Sequence, residues 1–118
     1  MSTQDHMDDG VISSKDVEGT SVFSSSGSKL GSIDELMIDK ASGQVRYAVM
    51  EFGGFLGVGT DRYPVPWSLL TYDIDKGGYV VPLDRAKLDG APNHREGSVP
   101  RYDAAYEQHL NSYYGVTL

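Results

Sequence analysis

From Gly31 to Trp67 the chain reads GSIDELMIDKASGQVRYAVMEFGGFLGVGTDRYPVPW, and this stretch sets what the rest can fold into. Two apolar-rich runs are joined at Asp39-Lys40-Ala41-Ser42-Gly43, a hairpin loop in which Gly43 can take a positive φ. Residues 44–52 alternate: Val45, Tyr47, Val49 and Glu51 point one way, and Arg46, Ala48, Met50 and Phe52 the other. Both faces are partly apolar, which places this strand centrally. Residues 30–39 alternate less well, because Gly31 to Glu35 breaks the register. A bulge or a strong bend accommodates that where a small sheet curls. Four glycines interleaved with Phe55, Leu56 and Val58 follow, and residues 61–65 close on Pro66-Trp67. Pro64 and Pro66 donate nothing to a ladder, so that strand is expected at an edge or with those positions turned away from its neighbour. The stretch argues for a small β-barrel and carries no catalytic motif.

Elements on either side fit the same plan. Residues 1–10 are polar and expected to be disordered. Ser13 or Ser14 can cap a short helical turn before a strand at residues 21–24, which ends in the turn Ser-Ser-Ser-Gly-Ser-Lys. Residues 68–74 and 79–83 are expected as strands five and six about the turn Asp75-Lys76-Gly77-Gly78, with a short helix at 84–88 capped by Asp84. Residues 93–101 have the composition of a linker. Beyond them Tyr102, Tyr106, Leu110 and Tyr113 recur at helical spacing, predicting a helix over about 103–114 that Gly115 terminates. The expected organisation is a tail at 1–10, a barrel domain at 11–92, a linker at 93–101 and a C-terminal helical segment at 102–118.

Composition narrows the chemistry. The 14 glycines among 118 residues suit many tight turns, and the absence of cysteine excludes disulfides, thiolate metal sites and cysteine nucleophiles. Seventeen acidic against ten basic side chains give a formal charge of −7, which repels phosphate backbones and anionic lipid. Neither direct nucleic-acid binding nor membrane insertion is expected. The polar start lacks the basic and apolar parts of a secretory signal, and no run of 18 apolar residues occurs, so a cytoplasmic location is expected.

Each candidate site has a plainer reading. The Gly53–Gly59 run lacks the Lys-Ser/Thr and the following helix of a phosphate loop, and reads as a hairpin. Asp73, Asp75 and Gly77, with Asp84 beyond, partly imitate a calcium loop, but Gly77 stands where an Asp or Asn ligand is needed and strands replace the helices. His6, His94 and His109 are scattered, and no serine sits in a nucleophile elbow. Asp34, Glu35 and Asp39 lie close enough along the chain to suggest an acid/base pair, yet solvated turn-flanking charge is the simpler account. Trp67 reads as a core plug with its N–H near the surface. The tyrosine stripe packs either in cis or in a dimer, and the sequence leaves both open.

Lys29 to Asp39, Gly43, Tyr47 to Gly59 and Val65-Pro66-Trp67-Ser68-Leu69-Leu70, taken in order, resemble the PRC-barrel family. This is the domain of the photosynthetic reaction-centre H subunit and of the C-terminus of a ribosome maturation factor, and the likeness spans about residues 11–92. The chain looks like the stand-alone bacterial members. The resemblance implies a small, strongly bent, mostly antiparallel β-barrel that docks onto a larger assembly, without catalysis and without a cofactor.

The expected function is therefore a mainly β, non-enzymatic interaction module, self-associating or docking on a larger assembly, with a homodimer as the simplest form. Its contacts are assigned to Phe55, Leu56 and Val58 at the glycine-rich hairpin, where a monomer should be polar, together with Trp67, Tyr102, Tyr106 and Tyr113. The alternative is a small-ligand cleft between barrel and C-terminal helix, lined by Trp67, Tyr72, Tyr79 and Tyr106.

Overall fold

The computed structural model describes residues 10–52 and 61–117. Among these residues seven strands form one sheet: β1 (Ser21–Ser24), β2 (Lys29–Ile38), β3 (Val45–Phe52), β4 (Asp61–Pro66), β5 (Thr71–Asp73), β6 (Gly78–Val81) and β7 (His94–Arg95), with spatial order β5-β6-β1-β2-β3-β4-β7. The fold is mainly β and strongly bent, as expected, and the ladder runs between two ends without closing by hydrogen bonds. Every pairing is antiparallel except β1 with β6, which run parallel through Val22 and Tyr79, Phe23 and Val80, Ser24 and Val81. No local turn can make that contact, because partners 57 residues apart must meet after the chain has passed through β2 to β5.

Bending arises where the alternation failed. Ile33 pairs with Met50 and Glu35 with Val49, so Asp34 is an extra residue bulged out of β2. At Gly31 a Cβ would collide with the Glu51 carbonyl oxygen, so only glycine allows β2 and β3 to approach this closely. Gly43 takes φ 78° in the β2–β3 turn, where Asp39 Oδ1 accepts from the backbone N–H groups of Ala41 and Ser42, both at 2.9 Å.

β3 is central, between β2 and β4, and both its faces are covered. Ala48, Met50 and Phe52 join the main core with Val22, Ile33, Tyr63, Val65, Tyr79 and Val81. Tyr47 and Val49, on the other face, are buried outside that cluster, as is Leu110. Ser13 caps the one-turn helix α1 (Ser14–Val17) and Asp84 caps α2 (Arg85–Asp89), and α3 (Ala104–Tyr114) runs from an Asp103 cap to a left-handed Gly115.

Three boundaries differ from the sequence reading. Residues 68–74 were expected as one strand, but Trp67–Leu69 form a 3-10 turn and only Thr71–Asp73 remain extended. The sixth strand likewise stops at Val81 instead of Leu83. The 93–101 segment contains β7, whose Arg95 and His94 pair with Asp61 and Arg62.

Candidate functional site

The two ends of the sheet are built from different materials. At the β4 end, Pro64 and Pro66 have no N–H to offer a further strand, and β7 pairs only with the first two residues of β4. α3 packs across this side through Glu107, Leu110, Asn111 and Tyr114, all buried, at the i, i+3, i+4, i+7 spacing of one helical face. That face is half polar, and its partners come from the sheet. Arg46 donates from Nη1 to both Glu107 oxygens, at 2.9 and 2.7 Å, and from Nε and Nη2 to Asp39, at 3.1 and 2.5 Å. One guanidinium thus ties the β2–β3 turn to α3.

Beneath it the Tyr47 hydroxyl donates to Asn111 Oδ1 at 3.0 Å and lies 3.3 Å from Glu107 Oε1. Asn111 Nδ2 is buried with no partner among the described residues. Half a turn of the amide would let Nδ2 donate to the Tyr47 oxygen and free the phenol proton for Glu107. Burial, and then the nearby Glu107 carboxylate, push the Tyr47 phenol up to about 12. Asp39 is held down at about 2, first by the Ser42 N–H and then by Arg46. Tyr102 and Tyr114 are raised further, chiefly by burial, and their hydroxyls are buried with no partner among the described residues.

The predicted residues fall into separate places. Tyr102 packs between Tyr47 and Tyr106, with ring centroids 5.6 and 5.1 Å away, and Tyr113 donates from its hydroxyl to the Lys87 carbonyl at 2.5 Å. These tyrosines pack in cis on the sheet and on α2. Trp67 is half-buried against the core, with its ring 5.3 Å from that of Tyr79. Phe55, Leu56 and Val58 lie outside the described residues. Of the residues expected to line a ligand cleft, Trp67 and Tyr72 both meet the Tyr79 ring, whereas Tyr106 meets that of Tyr102.

The suggested acid/base trio is also divided. Asp34 accepts from Arg62 Nε at 3.1 Å, while Asp39 is taken by Arg46. Asp73 and Asp84 serve a turn and a helix cap, and no group of three or more metal-ligating side chains occurs among the described residues. Sequence reasoning missed Glu107, Asn111 and Tyr114. The available signal was their i, i+4, i+7 spacing, hidden because two of the three are polar.

At the β5 end the surface is open. Tyr72 is 44% exposed and Ile74 61% exposed, and beside them runs a depression of about 610 Å³ lined by Leu69, Tyr72, Asp73, Ile74, Val80 and Pro82 among others. A family model for the PRC-barrel domain matches residues 9–88 of the chain. The chain belongs to the PRC-barrel family. Comparison with curated proteins finds no match. PRC-barrel domains are in general non-catalytic modules that mediate protein interactions, and α3 lies beyond the matched residues of this one. No helix among the described residues is long and apolar enough to cross a membrane.

Proposed function

We propose that this PRC-barrel is a non-enzymatic interaction module that docks a protein partner or a second copy of itself. The observation that carries the reading is the apolar surface left uncovered at the β5 end, in a family whose domains mediate protein interactions. Phe55, Leu56 and Val58 add an apolar run in a glycine-rich segment, and Trp67, Tyr102, Tyr106 and Tyr113 are contributors through the shape they give the surfaces around them. A cytoplasmic location belongs to this reading. Light scattering and affinity capture, run on the full chain and on a Phe55→Asp, Leu56→Asp double variant, provide the test. A change in molar mass or the loss of a specific captured partner is expected. Identical mass and identical capture would count against these residues as contacts.

A further inference from the structure

We propose that the outer side of β5 receives an extended, basic segment of a protein partner as an added strand. The proposal rests on the interaction-module reading and names the chemistry of the partner. β5 pairs with β6 through Thr71 and Val80, Tyr72 and Tyr79, Asp73 and Gly78, and no strand lies beyond it among the described residues. A strand end in that position carries outward backbone groups that a further chain can pair. Proline and a covering helix, which protect such edges, are at the opposite end, whereas β5 has neither a proline nor a lysine and is guarded by its shortness and by Asp73. Three residues of strand span about 10 Å, enough for a short peptide to gain a register before its side chains reach the depression.

Charge selects the partner. Asp73 lines the depression, with Asp75 exposed beside it. Asp73 Oδ1 accepts from the N–H groups of Asp75, at 2.9 Å, and Lys76, at 3.2 Å, which leaves Oδ2 for an incoming cation. Lys76 itself lies over the Phe23 ring, 5.5 Å from its centroid. A second copy is a poor occupant, because two chains of formal charge −7 repel and their acidic β5 rims would be brought together. A segment with apolar side chains on one face and lysine or arginine on the other meets both the Leu69, Ile74 and Val80 surface and the acidic rim.

The test is a titration of the isotope-labelled full chain with a capped heptapeptide alternating valine and lysine, followed by backbone amide shifts. Two controls replace the lysines by glutamate or alternate residues by proline. The proposal expects shifts gathered at residues 69–74 and 80–82, binding weakened roughly fivefold by the glutamate exchange, and none with the proline peptide. Equal binding of the lysine and glutamate peptides, or shifts centred elsewhere, would overturn it. Shifts at β5 on concentrating the chain alone would overturn it in favour of a second copy. Absence of peptide binding, in a chain whose Phe55→Asp, Leu56→Asp variant still changes mass or loses its partner, rejects the added strand and spares the module reading; absence of both effects rejects both.

Discussion

One sheet presents two ends that differ in what covers them. At the β4 end the backbone is blunted by Pro64 and Pro66, and the β3 face behind it is sealed by α3 through Leu110, the Arg46–Glu107 ion pair and the Tyr47–Asn111 hydrogen bond. At the β5 end a three-residue strand carries an exposed Tyr72 into an exposed Ile74, with an open depression alongside. The difference shows that covering an edge takes extra chain. α3 supplies that cover at one end from outside the matched PRC-barrel residues, and no described element does so at the other.

High pH is expected to have the largest effect and to fall mainly on the helix side, although Tyr79 beside β5 is raised by burial as well. Tyr47, Tyr102, Tyr106 and Tyr114 on the helix side are all raised above their ordinary value, chiefly by burial, so their neutral forms stabilise the fold fully below pH 10. That stability is lost as pH climbs from 10 through about 12, where Tyr47 ionises in the fold. Tyrosinate absorbance and helical circular dichroism should change together in that window; ionisation without loss of helix would break the link between these phenols and α3. Asp39 works in the opposite direction, contributing stability above about pH 4 that fades as pH falls toward 2.

A smaller but still large effect is expected for Leu110→Ala, because Leu110 is fully buried between α3 and the sheet. Urea unfolding should show a loss of about 3 kcal/mol. A loss under about 1 kcal/mol would mean that the helix does not seal this side.

Tyr47→Phe keeps the ring and removes the donor to Asn111 and Glu107, with an expected cost of about 1 kcal/mol by the same measurement. An unchanged stability would show that the polar half of the α3 face is incidental. At the other end Ile74→Ser should alter stability by no more than about 0.5 kcal/mol, since the side chain is already in water. A larger loss would mean that β5 is covered after all.

The strands and caps were legible because their causes are local. Alternation in residues 44–52, Gly43 after Asp39, and Asp84 ahead of a short helix each act within a few residues of themselves. The broken register of β2 was legible as a bulge, though its use was not, since the carboxylate of Asp34 finds Arg62 across two strands. The parallel β1–β6 contact and the small β7 depend on where distant segments arrive. The helix shows the limit most clearly: an apolar stripe drawn through Tyr102, Tyr106, Leu110 and Tyr113 misses a buried face whose Glu107 answers an arginine 61 residues earlier. In the same way, the shortening of β5 follows from the 3-10 turn at Trp67–Leu69, which no alternation pattern announces.

Amide hydrogen exchange on the intact chain, read residue by residue, tests the contrast between the two ends most directly. The account predicts that Tyr63 and Val65 in β4 exchange at least about a hundredfold more slowly than Thr71 and Tyr72 in β5, because the first pair opens only when α3 and the core let go. Equal rates at the two ends, or slower exchange in β5, would contradict it.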